Sequence, residues 1–233
     1  MLKLYSFAGS KDLRSFSPFA YKAEALLALS GVAYEREDVG DFATMPKGKV
    51  PVLQADDHQI ADSELIKQYL CEHHGLAADD TLTAEQQAIA HALRVMLEER
   101  TYWALVYSRF CDPEGKGFVF ETMLAGAPTE AKATIYEQLQ EKIRKQTFEH
   151  GIGRHDTAQI YAFAIADIQA VLTFLGDKAF LFGDTPTTTD ATCVAIFANL
   201  LANRFDCPLS QFVQNEPKIA QYVKRFEQKV FGE

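Results

Sequence analysis

Basic charge is what this chain has least of. Its 233 residues carry 23 Lys and Arg against 32 Asp and Glu, a formal net charge of -9. No basic footprint for phosphate backbones is present, so nucleic acid is not an expected partner, and an anionic membrane surface would repel the chain. Cysteine is sparse as well: Cys71, Cys111, Cys193 and Cys207 are widely scattered, with no CxxC pair and no zinc spacing. In a chain of this size that argues against a disulfide framework and for reduced thiols in a cytoplasmic protein. His73 and His74 are neighbours, hence on different faces of any helix, and no HExxH accompanies them, so no metal is expected. Long apolar runs are also missing. The longest, IYAFAIADIQAVLTFL, is broken by Asp167 and Gln169, and no bilayer span is expected. MLKLYSFAG is too short and too polar for the apolar core of a secretory signal. Repeats and low-complexity tracts are absent, and the glycine pairs at 115/117 and 151/153 lack the strand and helix that a phosphate loop requires.

What is present is the composition of a globular protein, 48% hydrophobic and 24% charged, at a length that suits one large domain or two small ones. Two rhythms divide it. In residues 1–75, LKLYSF reads as a strand, and a polar loop leads to Ser17-Pro18. Phe19, Ala23, Leu26 and Leu27 then recur at helical spacing up to Gly31, a C-terminal cap. VAYERED is a second strand. VPVLQADDHQIADS gives two short strands about a turn, then a helix cap at Asp62 or Ser63 and a helix to His74. A strand-helix-strand start implies a parallel pair, to which the hairpin adds antiparallel strands. Residues 75–81 read as a linker. From 83 to 233 nearly everything is helical: Thr83 with Gln86 opens a long helix to Phe110, DPEGKG reads as a turn, GFVFETMLAGAP is a short element of no clear type, and helices follow from Thr129, Asp156, Thr187 and Pro217.

Chemistry concentrates in three places in the first half. SFSPFAYK, residues 15–22, places Ser17 before Pro18, a helix-start signal in which the hydroxyl caps an orphan N–H. The same helix end carries about half a positive charge and attracts anions, a thiolate among them. Lys49-Val50-Pro51-Val52 sets a proline at the threshold of a strand, a candidate for a cis bond. Asp62-Ser63 opens another helix, with backbone N–H groups and a hydroxyl suited to a carboxylate.

In this order and spacing, these features resemble the thioredoxin-like domain of glutathione transferases. Thr187-x-x-Asp190 is similar to the family's buried capping box. SPFAYKAEALLALSGVAYE, ERTYWALVYSRF and FGDTPTTTDATCVAIFANLL are most similar to the branch related to failed-axon-connections and metaxin proteins. The resemblance spans nearly the whole chain. It implies an α/β thioredoxin-like N-terminal domain (1–75) followed by an all-α C-terminal domain (83–233). It also implies a cis Val50–Pro51 bond, and glutathione held by Lys49, Val50, Pro51, Asp62 and Ser63. Where relatives place cysteine, this chain has Ser17 and Ala20, so disulfide exchange, which needs a thiolate on the protein, is not expected. Ser17 is the expected stabiliser of the glutathione thiolate, with Ser15 in reserve and Tyr5 a weaker candidate. Tyr102, Trp103, Tyr107 and Arg109 lie on the long helix facing the cleft, and Trp103, Tyr107 and Arg109 are assigned to the pocket of an electrophilic second substrate. A homodimer is expected. The rival reading is a non-catalytic interaction protein that kept this fold.

Overall fold

The computed structural model of the chain describes residues 1–232. The first unit runs β1 (Leu2–Ser6), α1 (Pro18–Ser30), β2 (Tyr34–Asp38), β3 (Val52–Ala55), β4 (His58–Ala61) and α2 (Ser63–His73). The sheet order is β2-β1-β3-β4. β1 pairs parallel to β2, with Leu4 opposite Arg36, and antiparallel to β3, with Leu4 opposite Leu53; β3 and β4 form the hairpin. This is the mixed sheet that the alternation of strand, helix and hairpin predicts. Local signals set the ends of α1. Ser17 caps its start, Pro18 occupies the first turn, and Gly31 closes it in the left-handed region at φ 68°. Leu26 and Leu27 of α1 and Ile66 and Leu70 of α2 are fully buried with Leu4 and Leu53 of the sheet. The Val50–Pro51 peptide bond is cis.

The second unit is helical: α3 (Ala84–Met96), a π-helical turn over Leu97–Thr101, α4 (Tyr102–Phe110), α5 (Gly115–Glu121), α6 (Thr129–His150), α7 (Thr157–Leu175), α8 (Thr188–Ala202), α9 (Pro208–Gln214) and α10 (Pro217–Phe231). Two expectations are corrected. The helix expected to run to Phe110 contains the π turn, and α5 begins at Gly115, before the untyped stretch 117–128, and extends only to Glu121. α8 is buried on every side from Thr188 to Leu200, the central helix of the unit, and its polar residues Asp190 and Asn199 are hydrogen-bonded within the core. The Asp190 carboxylate anchors its start. It accepts from Leu181 N at 2.8 Å, Thr187 N at 2.8 Å, Thr187 Oγ1 at 2.7 Å and the Tyr222 hydroxyl at 2.5 Å. Burial raises the Asp190 pKa and these donors oppose the rise. α7 is long and apolar enough to cross a membrane by length and composition alone. In this fold its Ile160, Ala164, Ile168, Val171 and Leu175 lie in the core, and the buried Asp167 accepts from Arg100 and Thr101.

Buried polar contacts join the two units. Lys22 Nζ, 1% exposed on α1, donates to Glu64 of α2 at 2.9 Å and to Glu98 of the π turn at 2.7 Å. Asn199 Nδ2 of α8 donates to Ser15 O at 3.1 Å. Removing one partner of such a buried pair would strand the other's charge, so these contacts fix the angle between the units and the cleft they enclose.

Candidate active site

The cleft contains a cavity of about 700 Å³, within the range of small-molecule sites. Its polar end is walled by the three segments singled out in the sequence: Ser17, then Lys49, Val50 and Pro51, then Asp62 and Ser63. Residues up to 46 positions apart in the chain thus meet on one surface, because the end of β1, the start of β3 and the end of β4 lie together at one end of the sheet, with Tyr5 opposite Val52 and Val52 opposite Ala61.

Ser17 is half-buried and accepts from Ala20 N at 3.3 Å. A hydroxyl offers two lone pairs and one hydrogen, so this cap consumes an acceptor and leaves the donor free. Capping and sulfur binding are therefore compatible at one hydroxyl. Ser15 is a correction. It is fully buried, its hydroxyl donates to Phe7 O at 2.6 Å and accepts from Ser17 N at 3.1 Å, and it does not line the cavity. Its hydrogen is spent on the loop that presents Ser17. Tyr5 is likewise outside the cavity, under the ammonium of Lys3.

At the second wall Lys49 is exposed and Val50 half-buried beside the buried Pro51. Lys47, at φ 62°, donates from Nζ to Ala61 O at 2.8 Å and clips this turn to the end of β4. At the third, Asp62 caps α2 by accepting from Glu64 N at 2.7 Å, at φ 141°. A non-glycine residue at such an angle stores strain, and strained residues cluster at ligand sites. Ser63 is 4% exposed and opens the helix.

Apolar side chains make up much of the remaining lining: Phe7, Phe16 and Phe42 from the first unit, Val106, Met123 and Leu139 from the second. Here the expected pocket residues separate. Trp103 lines the cavity, with its ring against His150 at 4.9 Å. Arg109 also lines it, but as part of the wall. At 2% exposure its Nε donates to Asn203 Oδ1, Nη1 to Phe16 O, and Nη2 to Asn199 O and Oδ1, at 2.9 to 3.0 Å. Burial without a carboxylate partner pulls its pKa down to about 9. Tyr107 is a correction. Its hydroxyl pairs with Thr157 Oγ1 at 2.8 Å and its ring packs on Tyr161, away from the cavity. From α4 the cavity is lined by Tyr102, Trp103, Leu105, Val106, Arg109 and Phe110. Tyr102, which the sequence placed on the cleft-facing helix but did not assign to the second-substrate pocket, lines the cavity with Val106, which the sequence did not single out.

A four-stranded mixed sheet with a serine-capped helix, a cis-proline turn and an acidic-serine helix start, fused to an all-helical unit, defines a thioredoxin-like fold with a cleft between its two units. The sequence profile of the glutathione S-transferase N-terminal domain matches residues 18–115, and that of the glutathione S-transferase C-terminal domain matches residues 164–226. Together they span well over half of the chain, which belongs to the glutathione S-transferase family. Failed axon connections of Drosophila melanogaster is 29% identical over 243 residues; the match covers 99% of this chain but only 58% of the fly protein. Isoprene-epoxide–glutathione S-transferase of Rhodococcus sp. (strain AD45) is 26% identical over 232 residues, covering 97% of each. Among solved structures, a Ceriporiopsis subvermispora glutathione S-transferase in complex with glutathione superposes with a TM-score of 0.66 at 18% identity, over 98% of this chain and 97% of that one. A Methylobacterium radiotolerans glutathione S-transferase in complex with glutathione sulfonate gives 0.63 at 18%, over 98% and 94%.

Proposed function

We propose that this protein is a glutathione transferase that joins the glutathione sulfur to an apolar electrophilic small molecule. The observation that carries this reading is the free hydroxyl hydrogen of Ser17 at the start of α1, on the same cavity wall as Pro51, Asp62 and Ser63. Glutathione would lie along that wall, its cysteinyl backbone on Val50 and its γ-glutamyl carboxylate at the start of α2. The Ser17 hydrogen bond and the positive end of α1 would together favour the thiolate over the thiol. The second substrate would occupy the apolar part of the cavity, where burial of its hydrocarbon drives binding. The Rhodococcus relative is named for an epoxide, which supports a ring-strained electrophile as the class. We extend the proposal to a cytoplasmic homodimer, the commonest closed assembly.

Calorimetric titration with glutathione, followed by spectrophotometric assay with an aryl halide, tests the reading. Binding with turnover is expected. Binding without turnover of any electrophile would favour a non-catalytic protein of the same fold, and no binding would refute the transferase reading.

A further inference from the structure

The loop between β1 and α1 closes on itself and is then held from three sides. Phe16 N donates to Ala8 O at 3.0 Å and Ser10 N to Leu13 O at 2.7 Å. Gly9 runs so close to the returning chain that a Cβ there would lie 2.0 Å from Leu13 O. The three carbonyls that lead into Ser17 each accept from a side chain on a different element. Arg14 O accepts from Arg36 Nη2 of β2 at 2.8 Å, Ser15 O from Asn199 Nδ2 of α8 at 3.1 Å, and Phe16 O from Arg109 Nη1 of α4 at 2.9 Å. Arg36 Nη2 also reaches Phe7 O at 3.2 Å, so one guanidinium spans both ends of the loop. Asn199 Oδ1 in turn accepts from Arg109 Nη2 at 3.0 Å, which locks together the two donors of the helical unit. A peptide is planar, so holding a carbonyl fixes the N–H on its other side. Fixing Phe16 O therefore aims Ser17 N at Ser15 Oγ, 3.1 Å away, and sets the direction in which the Ser17 side chain leaves the backbone. The Arg109 guanidinium, buried among neutral oxygens, is a costly way to fill a helix interface that apolar side chains would fill at less cost.

We propose that Asn199, Arg109 and Arg36 are positioning residues for the Ser17 hydroxyl, so that the helical unit sets the ionisation of glutathione bound to the other unit. This rests on the glutathione transferase reading. Neither Asn199 nor Arg36 lines the cavity, and each acts through the backbone of residues 14–16. Asn199 is also neutral, which excludes a direct effect of charge on the sulfur. A hydrogen bond weakens steeply as its angle departs from linear. A loop released at Ser15 O would keep the Ser17 hydroxyl and lose much of its hold on the thiolate.

The test is ultraviolet titration of bound glutathione in the wild type, Asn199→Leu and Arg36→Met, each with and without Ser17→Ala. Either single variant should raise the thiol pKa by about 0.5–1 unit, half the shift expected when the hydroxyl is lost outright. In the Ser17→Ala background neither should raise it further, because residues that act through one group are not additive. Affinity for S-methylglutathione, which has no thiol to ionise, should stay within about twofold by calorimetry. Thr188→Val removes the hydrogen bond that the start of α8 makes to Asp79 Oδ2 at 2.6 Å. It should lower the melting temperature without moving the pKa. Asn199 is fully buried; if Asn199→Leu does not fold, Arg36→Met, at a half-buried position, decides the question. An unmoved pKa in the variants that fold, a shift that persists beside Ser17→Ala, an equal shift in Thr188→Val, or a loss of S-methylglutathione affinity as large as the pKa effect would overturn the proposal and leave the transferase reading intact. Failure of the wild type to bind glutathione would refute that reading, and this inference with it.

Discussion

Replacing Ser17 by alanine separates two functions that share one oxygen. The acceptor side caps α1 through Ala20 N at 3.3 Å, longer than the usual 2.7–3.2 Å. Loss of such a cap belongs at the low end of the usual range, about 0.5–1 kcal/mol. The donor side, given to a thiolate, is a hydrogen bond to a charged group worth about 1.5–3 kcal/mol. At about 1.36 kcal/mol per unit, losing it should raise the pKa of bound glutathione by about 1–2 units. The helix charge survives the substitution, because α1 keeps its backbone, and continues to contribute up to about 1 kcal/mol. The pKa in Ser17→Ala should therefore remain below that of free glutathione. The assay is ultraviolet titration of the thiolate at saturating glutathione, paired with urea unfolding. Ser17→Thr, which retains a hydroxyl, should restore both quantities. If Ser17→Ala shifted the urea midpoint as expected but titrated like the wild type, Ser17 would be a cap alone and the sulfur assignment wrong.

The remaining expectations are quickly stated. Wild-type protein should show negligible glutathione-dependent reduction of a mixed disulfide, and Ser17→Cys should introduce it, since a thiolate at a helix start is the missing part; robust wild-type turnover would contradict this. Stability should fall in acid through Glu64. Burial on its own would raise its pKa, but the nearby Lys22, with Lys67 and Arg94, outweighs burial and holds it below its ordinary 4.5. A carboxyl with a depressed folded pKa stabilises above its unfolded value and loses that contribution as pH falls through the folded one. The urea midpoint should accordingly drop from about pH 5 to about pH 3, less steeply in Glu64→Gln; parallel slopes would remove Glu64 from the account. Sedimentation should give about twice the chain mass at micromolar concentration, and a monomer would rule out the dimer.

Much of the first unit was legible because its signals are local. Ser17-Pro18 and Gly31 delimit α1 within one turn at each end, and period-two runs mark the strands. The site was legible in part for the same reason. Ser17, Val50-Pro51 and Asp62-Ser63 are each a helix or strand start, and their order along the chain suggests the single wall that they form in the fold. Ser15 and Tyr107 were misread because choosing between cavity and core needs the partner. Nothing near Ser15 in the sequence announces Phe7 O, and nothing near Tyr107 announces Thr157, 50 residues away.

Taken alone, then, the sequence determined the elements, their order and the chemical character of each helix start, since caps, prolines and periodicity act over a few residues. Only the tertiary structure decided which hydroxyls keep a free hydrogen and which face of α4 meets the cavity. The first depends on carbonyls supplied from elsewhere in the chain. The second depends on how α4 packs against its neighbours, which leaves Tyr102, Trp103 and Arg109 on the cavity and turns Tyr107 onto Thr157 and Tyr161. Such placements are set by packing between helices, where energies of a few kcal/mol outweigh the weak preferences of single residues.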